Sequence, residues 1–216
     1  MVIFLKGEIM EDKEIKAKIK SLEKITDSKY LNLYRVIFDV NDKEIDYYIA
    51  SRRSIDKLKV NTKEKHADVV RLVPYVKKDG KIFAVVTKEY RFPINEYIYS
   101  TPVGNIDAGE TPEQAGKREM MEEIGANVKR LIKIDDGAYS VVGMTDETIV
   151  CFIAEVENFE QQQLEPTEFI SYQLVPIEEL IQFADEKIDD IQAKYLFKML
   201  AYEWKLQKYN ENEIEL

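Results

Sequence analysis

The chain has 216 residues, 45% hydrophobic and 33% charged, enough to build one full domain with a substantial extension or two small domains, and the composition excludes wholesale disorder or a fibrous repeat. Its 31 Lys and Arg face 41 Asp and Glu, a formal net charge of −10 that argues against general binding to nucleic acid or an anionic membrane. A single cysteine, Cys151, and a single histidine, His66, exclude a disulfide framework, a cysteine metal cluster and a histidine-rich zinc site.

The opening "MVIFL" is too short for a signal-peptide core, and no later apolar run is long enough to span a bilayer, so the expected location is the cytoplasm. Between residues 8 and 60 the β-forming runs "IKAKIKSLEKIT", "YLNLYRVIFDV" and "EIDYYIASR", the last two joined by "NDKE", predict a small antiparallel sheet. His66 falls in the polar segment "NTKEKHADVV" and reads as a loop residue. "ADVVRLVPYV", the turn "KKDG" and "KIFAVVTKEY" then predict a hairpin of near-continuous apolar strands, buried on both faces. A domain boundary is expected near residues 61–67, giving an N-terminal extension over 1–64, a main domain over 65–206 and a polar, frayed tail over 207–216.

Thr111, Pro112 and Gln114 supply an N-cap, a first helical residue and a capping box, and Gly125 supplies a stop, so a helix is predicted from about Pro112 to Ile124. Cys151 lies in the apolar run "TIVCFIAEV" and is expected as a buried strand residue. "FISYQLVPIEELIQFADEK" predicts a strand leading into a helix, and helical spacing continues from Ile188 to Leu206.

On the helix after Thr111, Glu119 and Glu123 share one face with Glu122 beside them, while Met120 and Ile124 fall on another that can meet the core. Two readings compete: a solvated acidic face, or a metal site. Like charges at i and i+4, two of the acids lying in the last turn where the helix dipole is already negative, are unfavourable as plain structure. A hard divalent cation such as Mg²⁺ reverses that sign, since it takes a few carboxylates together with water and substrate phosphate oxygens. Gly104 and Gly109 permit a tight loop that delivers Glu110 to the same region, and Arg118 is placed to orient the carboxylates.

Gly104, five residues, Glu110, seven residues and then "REMMEEIGA" resemble the complete Nudix box, G-x5-E-x7-R-E-U-x-E-E-x-G-U with U apolar. The resemblance implies an α/β/α sandwich that hydrolyses a nucleoside diphosphate linked to another group with Mg²⁺ or Mn²⁺. Matched position by position, it implies Glu119 and Glu123 as the principal metal ligands, with the Val103 carbonyl completing a shell. Glu122 is then a further ligand or water-activating group, Glu110 a supporting acid, and Arg118 the residue that holds the carboxylates.

The flanks resemble the ADP-ribose pyrophosphatase subfamily over about residues 20–200. "KEYRFPINEYIYSTPVG" is similar to its "QYR" element followed by "E-x-P-A-G", and "YSVVGMTDE" to its "SPG-x-x-x-E" loop, which makes Glu147 a metal ligand and a second candidate base beside Glu122. Arg91 matches the arginine of the "QYR" element and Arg52 an arginine that contacts phosphate or ribose, both being local cations to draw in a diphosphate, and Tyr34, Tyr47 and Tyr48 are aromatic candidates for a purine, although strand packing explains them as well. Ser100 replaces the upstream glutamate, Val103 the alanine, and "VVG" the "SPG". The implied function is hydrolysis of ADP-ribose or a related nucleoside diphosphate sugar by a homodimer. The alternatives are another nucleoside diphosphate derivative, such as a dinucleoside polyphosphate or dinucleotide, and a sensor that binds without turnover.

Overall fold

A computed structural model describes residues 15 and 17–213. The "MVIFL" segment, the start of the first strand-rich run and residues 214–216 lie outside the described residues. The chain divides into two compact units, one formed by residues up to Glu64 with Val141–Asp146, the other by Lys65–Ser140 with Glu147 onward.

In the N-terminal unit β1 (Ala17–Lys24), β2 (Asn32–Val40) and β3 (Lys43–Ser51) form an antiparallel sheet in the order β1-β2-β3, as expected. Asn41 and Asp42 take positive φ, 53° and 64°, which gives the two-residue hairpin whose twist suits the flanking strands. On β2 burial alternates: Tyr34 and Val36 face inward, and the Tyr34 hydroxyl donates to the Arg53 carbonyl at 2.7 Å. Tyr34 is therefore a packing residue, while Tyr47 and Tyr48 stay exposed. After β3 a 3-10 turn (Ile55–Lys57) leads into α1 (Lys59–Thr62), and Leu58 between them is buried. Residues 141–146 join this unit through the Lys59 N–H, which donates to Asp146 Oδ2 at 3.0 Å, the Ala50 N–H, which donates to the Met144 carbonyl at 2.9 Å, and the Tyr47 hydroxyl, which donates to the Gly143 carbonyl at 2.9 Å.

The second unit is a mixed sheet with helices on both faces. Its strands are β4 (Val69–Lys78), β5 (Lys81–Arg91), β6 (Glu96–Ser100), β7 (Val103–Asn105), β8 (Ala126–Lys133), β9 (Ala138–Tyr139), β10 (Thr148–Phe159) and β11 (Ile170–Pro176). The main path runs β11-β5-β4-β10-β8, with β6 on β5, β7 on β4 and β9 on β10. β4 and β10 are parallel and the other pairs antiparallel. Asp79 and Gly80, at φ 52° and 74°, close the β4–β5 hairpin.

β4 is apolar on both sides because alternate side chains serve different layers. Val70 and Leu72 pack with Met120 and Ile124 of α2 (Pro112–Ile124), while Val73 packs with Leu180 of α3 (Leu180–Lys187) and with Phe197 and Leu200 of α4 (Ile191–Glu213). Each such aliphatic side chain, fully buried, contributes about 1.5–3 kcal/mol.

Helix α2 has the limits its sequence predicts. Thr111 Oγ1 accepts from the Gln114 N–H and Gln114 Oε1 from the Thr111 N–H, completing the capping box. Gly125 ends it at φ 64°, where a Cβ would stand 2.2 Å from the Glu160 carbonyl oxygen. Gly125→Ala thus combines left-handed strain with a clash against backbone, and a destabilisation of about 2 kcal/mol or more is expected in urea titrations.

Three expectations are corrected. The helical spacing read from Ile188 begins instead at Ile191, because Asp190 Oδ1 accepts the Gln192 and Ala193 N–H groups at 2.9 and 3.1 Å and starts a new helix. The backbone of residues 207–213, expected to fray, continues α4, whose exposed stretch is filled by helix formers such as Lys205, Gln207 and Lys208. Cys151, expected to be buried, is only partly so, although burial still pushes its thiol up to about 11. His66 lies exposed in a loop, as expected. Among the described residues no helix is long and apolar enough to cross a membrane.

Candidate active site

The short strand β7, paired with β4, brings the glycine loop beside helix α2. β7 pairs with β4 so that Val103 stands opposite Arg71 and Gly104 opposite Val70. At Gly104 the backbone approaches Glu119 so closely that a Cβ would lie 1.9 Å from its carboxylate carbon. Glycine is required there by the neighbouring acid. Further along, Gly109 takes φ 90° and turns the chain so that Glu110 accepts the Asp107 N–H at 3.1 Å.

Arg118 is the hub of the cluster. Its Nε and Nη2 donate to the two oxygens of Glu110, both at 2.9 Å; Nη1 donates to Glu119 Oε1 at 2.6 Å and Glu122 Oε2 at 3.0 Å; Nη2 also donates to the Asn105 carbonyl at 2.9 Å. The guanidinium fork thus joins the loop to three acids at once. The hydrogen bonds from Arg118 hold the Glu110 carboxyl below its ordinary range. They also push Arg118 itself upward, so it stays charged at any working pH.

Glu119 and Glu123 differ from their neighbours in being buried, at 7% and 4% exposure. Burial raises the pKa of both. For Glu119 the Arg118 bond opposes this, while Glu122 and Glu168 add to it. For Glu123 the negative charges of Glu89, Glu119 and Glu168 push the same way as burial, against one N–H from Val103 at 3.3 Å. Its backbone carbonyl also accepts from the Gln162 side chain. Two buried acids that resist ionisation, faced by two more, form a hard oxygen environment in want of positive charge.

A pocket of about 210 Å³ opens beside them, with Glu89, Arg91, Val103, Glu123, Glu168 and Phe169 in its wall. Arg91 lies 2.6 Å from Glu89, so the one guanidinium in this wall already faces an acid. Among the described residues no three Asp, Glu, His or Cys side chains already stand in the arrangement of a bound ion. Arg118 holds Glu119 and Glu122, and the Val103 N–H holds Glu123. The donors nonetheless suit a divalent cation, with buried carboxylates set close to a backbone loop.

The structure thus gathers Val103, Gly104, Glu110, Arg118, Glu119, Glu122 and Glu123, with Arg91 in the pocket wall. Glu147 stands just before β10, where Ser140 Oγ donates to its Oε1 at 3.0 Å. Arg52 lies exposed just past β3 in the N-terminal unit. Two acids of the pocket escaped the sequence reading. Glu168 sits in a polar turn, "LEPTEF", that carries no local signal. Glu89 did leave one, being an acid that closes the apolar run of β5 on the face of Val85 and Thr87.

Helices cover both faces of a mixed sheet and the glutamate helix packs over a glycine loop, and the chain carrying this arrangement matches the NUDIX domain over residues 65–199. It belongs to the Nudix family and is a pyrophosphohydrolase. The ADP-ribose pyrophosphatase of Bacillus subtilis (strain 168) is 29% identical over 198 residues, covering 90% of this chain and 98% of that protein. The ADP-ribose pyrophosphatase of Saccharomyces cerevisiae is 30% identical over 199 residues, covering 88% and 81%. A crystal structure of an ADP compounds hydrolase shares the fold with a TM-score of 0.68 at 16% identity, over 89% of this chain and 96% of that one. The family and the α/β/α architecture expected from the sequence are both borne out.

Proposed function

We propose that the protein hydrolyses the diphosphate of ADP-ribose or a related nucleoside diphosphate sugar to a nucleoside monophosphate and a sugar phosphate, using Mg²⁺ or Mn²⁺. The observation that carries this is the buried, mutually repelling pair Glu119 and Glu123 set against the Gly104 loop. The similarity to two ADP-ribose pyrophosphatases over most of their length supports the substrate class.

In this reading Glu119, Glu123 and the Val103 carbonyl hold the cation, which supplies electrophilic activation of phosphorus and neutralises the leaving group when bound. Arg118 and Glu110 keep the acids in place, and Arg91 leaves Glu89 to grip a phosphate in bidentate fashion. A carboxylate takes the proton of the attacking water. Glu122 and Glu147 are the candidates from sequence; Glu168 joins them because it lines the pocket together with Glu123 and Val103. The reading extends to a cytoplasmic homodimer whose N-terminal unit serves pairing and base recognition, with Arg52 as a substrate contact. Exposed Ile45 and Tyr47 on one face of β3 support a pairing surface there.

The test is incubation of purified protein with Mg²⁺ or Mn²⁺ and a panel of nucleoside diphosphate sugars, dinucleotides and dinucleoside polyphosphates, with products identified by mass. Fastest cleavage of ADP-ribose or a close relative is expected. Preference for a dinucleotide or polyphosphate would move the substrate, and binding without turnover of any compound would make the protein a sensor. In the same assay Glu168→Gln is expected to lower kcat by roughly 10²-fold, more than Glu147→Gln does. The reverse order would assign the base to Glu147.

A further inference from the structure

The segment that carries Val103 is anchored from behind by a buried polar chain outside the acidic box. Arg71, on β4 opposite Val103, donates from Nη1 to Asp190 Oδ2 at 2.8 Å and to Thr101 Oγ1 at 3.3 Å. Ser100 Oγ donates to the same Asp190 oxygen at 2.9 Å. The other Asp190 oxygen caps helix α4 through the Gln192 and Ala193 N–H groups. One carboxylate therefore ties the start of a helix to the Ser100 side chain directly and to the Thr101 side chain through Arg71. On the next two residues the Leu72 N–H donates to the Pro102 carbonyl at 2.9 Å, and the Val103 N–H donates to Glu123.

Stability alone does not select this arrangement. Ser100 and Thr101 are fully buried and Arg71 nearly so, and Arg71 Nε finds no hydrogen-bond partner among the described residues. A well-packed apolar set at such a spot is commonly as stable as a buried ion pair. What the ion pair adds is direction: each bond fixes an atom of the 100–103 segment relative to the sheet and to α4. Burial works against the Asp190 carboxylate, but the charge and hydrogen bond of Arg71 and the bonds from Ala193 and Ser100 outweigh it, so its pKa is lowered and it remains ionised.

We propose that Arg71 and Asp190 are positioning residues for the site, fixing Ser100–Val103 so that the Val103 N–H meets Glu123 and the Val103 carbonyl is presented to the cation. The inference rests on Val103 and Glu123 forming the metal site in the function proposed above. Neither Arg71 nor Asp190 touches substrate or cation in this account. Ser100 then has a defined part, as a link in the anchor.

Asp190→Asn tests it, because an amide has one carbonyl oxygen and serves either the helix cap or the guanidinium. Mn²⁺ binding to the substrate-free protein, followed by electron paramagnetic resonance, is expected to weaken roughly 10- to 100-fold, with kcat falling in parallel and KM for the best panel substrate unchanged. A variant with a lower melting temperature but wild-type Mn²⁺ affinity and kcat would make the pair merely structural and overturn the proposal. If Asp190→Asn does not fold, Ser100→Ala removes the hydrogen bond to Asp190 and no charge; a loss of Mn²⁺ affinity of about tenfold is expected, and wild-type affinity overturns the proposal. A wild-type protein that binds Mn²⁺ but cleaves nothing in the panel would defeat the proposed function and leave the Mn²⁺ comparison to decide this one. One that binds no Mn²⁺ overturns the inference as well.

Discussion

Glu123→Gln is expected to remove metal-dependent turnover while making the metal-free protein more stable. The first effect follows from its place in the site, where a cation worth several kcal/mol of transition-state stabilisation corresponds to about 10³-fold or more in rate. The second follows from electrostatics. Burial, and then the charges of Glu89, Glu119 and Glu168, raise the Glu123 pKa well above its ordinary 4.5. A carboxyl with a raised pKa binds its proton more tightly in the folded state than in the unfolded one. Between the unfolded value near 4.5 and the higher folded value, the stability of the metal-free protein therefore falls as pH rises. Glutamine keeps the shape and stays neutral, so that loss is absent. In the presence of a chelator the melting temperature of the variant should exceed that of the wild type at pH 8, with the gap closing towards pH 4.5. Added Mg²⁺ should then raise the wild-type value and leave the variant unmoved. A variant that is active, or less stable than wild type at pH 8, would contradict the assignment.

Gly104→Ala is the second large effect, and it separates geometry from stability in the opposite way. The new methyl group would meet the Glu119 carboxylate at 1.9 Å, an overlap the structure cannot hold. The atom it meets is the far end of a side chain, so the carboxylate can swing aside while the backbone stays. Little loss of stability is expected, within about 1 kcal/mol in urea titrations. Activity is a different matter, since displacing a ligand by an ångström commonly costs about 10²-fold. A mutant with wild-type kcat would show that Glu119 is not needed where it now stands.

How much of this was legible in the chain depended on how local the cause was. Helix α2 was read to its ends because Thr111, Pro112, Gln114 and Gly125 act within a turn of the residues they govern. The holding role of Arg118 was legible for the same reason, since Glu119 and Glu122 lie within one turn and only Glu110 is further off, eight residues away. The hairpin of β4 and β5 announced itself through an apolar run, a glycine turn and another apolar run.

What depends on distant pairing was not legible. Glu168 reaches the site because β11 pairs with β5 in the register that sets Ile170 against Glu89, and no short window of sequence contains that fact. Asp190 looked like one acid among several in "EKIDD", yet it bonds Arg71 from 119 residues away. The role of Ser100 was hidden in the same contact: it appeared as a departure from a family pattern, and the structure shows it bonded to that aspartate. Residues 141–146, read as a loop of the main domain, make their hydrogen bonds with the N-terminal unit across similar separations, 96 residues in the case of Tyr47 and Gly143.

In the proposed function the acids of α2, gathered over the Gly104 loop, direct water onto a nucleoside diphosphate. Its most direct test is turnover of ADP-ribose in ¹⁸O-labelled water with Mg²⁺, read by mass spectrometry. A nucleoside monophosphate and a sugar phosphate are expected, with one oxygen label in one of the two products and no reaction with chelator or with Glu123→Gln. Cleavage that persists in Glu123→Gln, or label appearing without any diphosphate bond broken, would contradict it.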